Sequence, residues 1–81
     1  MTTQAQPLTT VDRVRAMMSR NGLNQSQMAR FLGIPQGTVG NWLGGTRKPN
    51  KVVTRLFDVL EQAEMFYPTL FRTLLVKAGK P

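Results

Sequence analysis

Helix-stopping residues recur along this chain at intervals too short for any long element. Asn21-Gly22, Gly33-Ile34-Pro35, Gly44-Gly45, Pro49 and Pro68 punctuate it. Glycine readily takes the left-handed conformation that ends a helix, and proline is tolerated in a helix only at its first turn. Between these stops apolar residues recur at helical spacing, and no run shows the two-residue alternation of a strand. The expected fold is therefore all-α, a compact domain of five short helices. Thr9, with Asp12 three residues on, opens the first, whose stripe is Val14, Met17 and Met18. Asn24 opens the second, with Gln27 positioned to reach back to it and Met28, Phe31 and Leu32 as the stripe. Gly33 ends that helix, and the third runs from about Gln36 to Leu43, where Gly44-Gly45 closes it. Asn50 reads as the N-cap of a fourth, with Val52 or Val53, Leu56, Val59 and Leu60 facing inward. Pro68 interrupts the pattern near Phe66-Tyr67, and Thr69 is expected to cap a fifth helix.

Charge and chemistry narrow the partners. The chain has 81 residues, 11 Lys and Arg against 4 Asp and Glu, and a formal charge of +7. That excess implies a polyanionic partner, either nucleic acid or an anionic membrane. A domain of this size buries only about 60% of its unfolded surface, so dimerisation would help it. Cysteine and histidine are both absent, which excludes disulfides, zinc fingers, Ser-His-Asp triads and thiol nucleophiles. The four carboxylates, Asp12, Asp58, Glu61 and Glu64, fall on predicted helices with no His or Cys beside them, so no enzyme, metal or cofactor is expected. No apolar run is long enough to span a bilayer and no signal-peptide pattern opens the chain, so a cytoplasmic protein is expected. Residues 1–8 are polar and aperiodic and read as a flexible arm, 9–63 as the main domain and 64–81 as a C-terminal segment.

Two short helices joined across a tight glycine turn, the second beginning with polar residues, follow the helix-turn-helix plan. The order of residues is more specific: Gly22-Leu23-Asn24-Gln25-Ser26-Gln27-Met28-Ala29, Leu32-Gly33-Ile34, Thr38-Val39-Gly40-Asn41-Trp42 and Gly45-Thr46-Arg47-Lys48-Pro49. This succession, from about Val11 to Leu60, resembles the Cro and phage-repressor (XRE-like) family. The resemblance implies a DNA-binding domain whose third helix enters the major groove, on a phage or other mobile element. Ala29 is small where the second and third helices cross, and Val39 anchors the third in the core. The chain departs from the family at Pro35, where a Ser or Thr cap is common. Gly37, Gly40 and Gly44 also weaken the third helix by about 1 kcal/mol each relative to alanine.

Val39, Trp42 and Leu43 form the inward stripe of that helix, leaving Gln36, Gly37, Gly40 and Asn41 outward. Gln36 and Asn41 carry amides able to pair with the N6 and N7 edge of adenine. Gly37 and Gly40 would let the backbone approach closely, and Thr38 offers a hydroxyl to a phosphate or a methyl to thymine. Gln25 begins the second helix, where the resemblance implies a backbone clamp working with helix N-terminal amides. Arg47, Lys48, Asn50 and Lys51 can reach phosphates on one flank, and Arg30 and Arg13 or Arg15 are further candidates. Trp42 reads as core, with an indole N–H able to donate from its edge.

The last predicted helix is more apolar than a four-helix core needs, with Leu70, Phe71, Leu74, Leu75 and Ala78 after Met65, Phe66 and Tyr67. A two-fold dimer contact built from Phe66, Tyr67, Leu70, Phe71, Leu74 and Leu75 is the expectation. The functional expectation is a homodimeric repressor on a palindromic, inverted-repeat operator in double-stranded DNA, acting by occlusion, with no segment left for a small-molecule sensor. Three other readings compete. One is an antitoxin-like or partner-binding module whose apolar C-terminal helix holds another protein. Another is a restriction-modification controller or anti-CRISPR-associated regulator. The third is a membrane-surface helix resting on Phe71, Leu74 and Leu75 with Arg72 and Lys77.

Overall fold

A computed structural model describes residues 9–79, so the arm expected over residues 1–8 lies outside the described residues. Among the described residues there are five helices and no strand: α1 (Thr10–Asn21), α2 (Gln25–Leu32), α3 (Gln36–Leu43), α4 (Lys51–Phe66) and α5 (Pro68–Lys77).

Capping chemistry sets most of these limits. Thr9 Oγ1 accepts the Asp12 amide and Asp12 Oδ2 accepts the Thr9 amide, both at 3.1 Å. Asn24 and Gln27 make the same reciprocal pair at 2.8 and 3.0 Å. Asn50 Oδ1 accepts the Val53 amide at 3.1 Å. Each such cap is worth about 1 kcal/mol. Gly22 and Gly33 close α1 and α2 at φ 62° and 75°, left-handed conformations that a β-carbon would strain. The start of α5 differs from expectation: Pro68 is its first residue, Tyr67 precedes it, and Thr69 lies inside the helix with its carbonyl accepting the Thr73 hydroxyl at 3.0 Å. Proline's missing N–H has no helical partner to lose at the first position, so the helix begins at the proline itself.

The core gathers Val14 and Met17 of α1, Met28 and Ala29 of α2, Val39 and Trp42 of α3, Phe57, Leu60 and Ala63 of α4 and Phe71 of α5. In this arrangement α2 packs on α3 and α5, α1 on α3 and α4, and α4 on α5. Two expectations change here. α4 turns Val53, Phe57, Leu60 and Ala63 inward, while Val52, Leu56 and Val59 are 74%, 37% and 64% exposed. The sequence carries both stripes one residue apart, and the one holding Phe57 is buried because it is the one that faces α1 and α5. Phe71, expected at a dimer contact, is instead 3% exposed and meets Phe31 edge to face with ring centroids 5.3 Å apart. It serves this chain's own core. α4 also continues unbroken through Glu64 to Phe66, so the division expected at 63/64 falls inside a helix.

Ion pairs bind α1 to α4. Arg13 donates to Glu61 through Nε and Nη2 at 3.0 and 2.8 Å and to Asp58 at 2.7 Å. Arg20 forks onto Glu64, with Nη2 at 2.7 Å and Nε at 3.1 and 3.2 Å, and Asn21 Nδ2 adds a third donor at 3.0 Å. These hydrogen bonds raise the pKa of Arg13 and Arg20. They hold the Asp58 carboxyl, chiefly through Arg13, and the Glu64 carboxyl, chiefly through Arg20, below the ordinary carboxylate range.

Candidate nucleic-acid interface

The glycine turn at Gly33 sets α2 against α3 so that Gln25, the first residue of α2, reaches the middle of α3. A β-carbon built on Gly40 would stand 3.3 Å from Gln25 Oε1. Gly40 is therefore the notch that admits the Gln25 side chain, a closer role than the backbone approach expected for it. Around α3, Gln36, Gly37, Gly40 and Asn41 fall within about 140° of arc. Gln36, Gly37 and Asn41 are exposed and Thr38 and Gly40 half-buried, while Val39 and Trp42 hold the opposite side in the core. Nothing lies within 4 Å of a β-carbon at Gly37. No side chain caps α3, because Pro35 stands at its N-cap.

The loop after α3 is folded back on it. Gly45 takes φ 81°, and the amides of Thr46 and Arg47 both donate to the Asn41 carbonyl at 2.9 and 3.2 Å. This holds exposed Arg47 and Lys48 at the C-terminal end of α3. A cleft of about 460 Å³ opens between the loop and α1, lined among others by Thr9, Arg15, Trp42, Arg47 and Lys48. Arg15 Nη2 donates to the Leu43 carbonyl at 2.6 Å, which fixes a third guanidinium or ammonium group in that cleft. Trp42 is 5% exposed and belongs to the core, with its edge at the cleft.

The remaining expected cations separate. Arg13, weighed equally with Arg15, is neutralised by Asp58 and Glu61 and turned toward α4. The two residues lie on opposite flanks of the α1 stripe, and nothing local in the sequence says which flank α4 covers. Arg30 does not join the face: a β-carbon on Gly79 would stand 2.9 Å from its Nη1, which puts the guanidinium beside the end of α5. Five residues beyond Gln25, it is rotated about 140° around α2, and a cation is favourable near a helix C-terminus. Asn50 commits its carbonyl oxygen to capping α4, leaving its amide nitrogen as the group able to donate outward. Lys51 is exposed at the first position of α4, whose first turn holds no acidic residue. A cation there faces the positive end of the helix dipole, a cost that a bound anion would relieve.

Where the acids sit explains the field of the molecule. Asp12 completes a cap, and Asp58, Glu61 and Glu64 are engaged along α1 and α4. Among the described residues the first turns of α2, α3 and α4 carry no acidic residue. Of the C-terminal residues expected at a dimer contact, Phe66, Tyr67 and Leu70 are 62%, 65% and 53% exposed, whereas Leu74 and Leu75 are half-buried. No described helix is long and apolar enough to cross a membrane. Comparison of the chain with models of known protein families, with curated proteins and with solved structures finds no match in any of the three.

Proposed function

We propose that this protein is a sequence-specific DNA-binding transcriptional regulator, a homodimeric repressor that sets α3 of each subunit into the major groove of an inverted-repeat operator. The reading rests on α2 and α3 as a helix-turn-helix, and its carrying observation is the Gln25–Gly40 notch beside an outward face bearing Gln36 and Asn41. Amide side chains on such a face match the donor and acceptor pattern of adenine, and an exposed glycine lets the backbone come close to base edges. Arg15, Arg47 and Lys48, which have no carboxylate partner among the described residues, supply sequence-independent attraction to phosphates at one end of α3. Lys51 and the acid-free start of α2 add to it. The bound dimer excludes other proteins from the DNA it covers, which is repression by occlusion.

Selection of binding sites from random duplex DNA tests this, with the mass of the protein followed in the same buffer. The expected product is an inverted repeat whose half-site centres lie about 10 base pairs, or about 34 Å, apart. Absence of sequence preference at physiological salt overturns the reading and leaves DNA as a nonspecific charge partner.

A further inference from the structure

The last turn of α3 is satisfied from two directions. A helix leaves its final four carbonyls without partners of its own. Here the Gly40 carbonyl accepts the Gly44 amide at 2.9 Å, Asn41 accepts the Thr46 and Arg47 amides at 2.9 and 3.2 Å, and Trp42 accepts the Gly45 amide at 3.2 Å. All of those donors belong to the loop that follows. The Leu43 carbonyl is reached from elsewhere, by Arg15 of α1, whose Nη2 donates to it at 2.6 Å across 28 residues of sequence. Among the described residues this is the one hydrogen bond that joins α3 to another helix.

Little else directs this helix. Pro35 leaves its start without a side-chain cap, and Val39 and Trp42 hold it by apolar packing, which is non-directional. Arg15 and half-buried Leu43 line both the cleft beside Arg47 and Lys48 and a neighbouring hollow of about 520 Å³ walled by Met18, Ser19 and Leu23. The strap therefore crosses a part of the α1–α3 junction that side chains do not fill. A cation is favourable at a helix C-terminus, and a charged donor makes the stronger hydrogen bond.

We infer that Arg15 is a positioning residue for base reading: its bond to the Leu43 carbonyl sets the pose in which α3 presents Gln36 and Asn41. Resting on the DNA-reading function proposed above, this gives Arg15 a role beyond its charge. A guanidinium carries five N–H groups, so one can hold the carbonyl while others meet a phosphate in the cleft shared with Arg47 and Lys48. A phosphate gripped there is tied through a rigid, planar group to the end of the reading helix. Amide pairs with an adenine edge need donor and acceptor within about 2.7–3.2 Å, whereas a long cationic side chain can follow a phosphate through a small displacement. Loosening the strap should therefore cost operator DNA more than other DNA.

Two variants of the full chain separate charge from position. Lys48→Ala removes one charge and leaves the strap, while Arg15→Met removes one charge and the strap but keeps the apolar stem. Arg15 is exposed, so helicity by circular dichroism should hold. Each is titrated with the operator recovered by site selection and with a scrambled duplex of the same length. Both should lose about one from the slope of log affinity against log salt. The ratio of operator to scrambled affinity should hold for Lys48→Ala and fall about tenfold for Arg15→Met, the worth of one weakened amide–base pair. Without DNA, hydrogen exchange read by mass spectrometry should quicken in α3 of Arg15→Met, with α2 unchanged, and keep the wild-type rate in Lys48→Ala. An unchanged affinity ratio for Arg15→Met, or exchange in its α3 at the wild-type rate, would overturn the proposal and leave Arg15 as a phosphate contact. If no operator is selected, the DNA reading falls and the proposal with it, whereas a selected operator with an unchanged ratio removes the proposal and keeps the DNA reading.

Discussion

Gly37 and Gly40 sit on the same helix and the same face, yet their surroundings predict opposite consequences for alanine. Each substitution removes the helix penalty of glycine, up to about 1 kcal/mol. At Gly37 the new methyl meets nothing within 4 Å, so Gly37→Ala should raise the melting temperature with little rearrangement. At Gly40 it would stand 3.3 Å from Gln25 Oε1, and the amide must move by a few tenths of an ångström. Gly40→Ala is therefore expected to stabilise less and to weaken operator binding, as read by thermal melts and operator titrations of the two variants side by side. Unchanged operator affinity for Gly40→Ala would detach Gln25 from DNA contact. Gln36→Ala belongs to the same scale: preference should relax at one base pair, by about 1–3 kcal/mol, with the others intact. Selection with the variant checks this, and an unaltered site would remove Gln36 from base reading.

Single elements show what the sequence could convey. The limits of α1, α2 and α3 were legible because they are set by neighbours within three or four residues: Thr9 with Asp12, Asn24 with Gln27, Gly33, Pro35. The inward face of α4 was not, because its two apolar stripes are adjacent and only the position of α1 and α5 decides between them. Phe71 was misplaced for the same reason, since its partner Phe31 lies 40 residues away. The outward set on α3 was legible, whereas the notch between Gln25 and Gly40 needed two helices in contact. The α1–α4 junction also needed tertiary structure, and it makes stability depend on acid. Arg20 and Asn21 lower the Glu64 pKa from its ordinary 4.5. A lowered folded pKa means the contribution is complete above pH 4.5 and disappears as pH falls through the folded value. Stability should therefore decline in acid, and Glu64→Gln should flatten that decline. Arg20 is 48% exposed, so screening holds the effect to about 0.5–1 kcal/mol. Urea unfolding of both proteins from about pH 3 to 7 measures it; identical slopes would show the pair to contribute nothing.

At the scale of the whole molecule, the formal charge of +7 is less informative than its distribution. Three of the four carboxylates face cations along α1 and α4, so those cations add little to the outward field. Arg15, Arg47 and Lys48 gather at one end of α3 without acidic partners among the described residues. Two substitutions that each remove one positive charge should therefore behave differently. Lys48→Ala removes a charge from the proposed DNA face and should weaken binding to all sequences alike, lowering the slope of log affinity against log salt by about one, with the melting temperature held. Arg13→Ala strips the shared partner from Asp58 and Glu61, hydrogen-bonded at 2.7 to 3.0 Å. Losing these charge-assisted bonds between α1 and α4 removes a link that solvent screens only in part, so that variant should melt earlier while its salt slope, measured below the melting transition, stays that of the wild type. Salt titrations of operator binding together with thermal melts separate the cases. Equal salt slopes for the two variants would mean that the molecule presents its charge to DNA as a diffuse cloud, and the assignment of a DNA face beside α3 would fail.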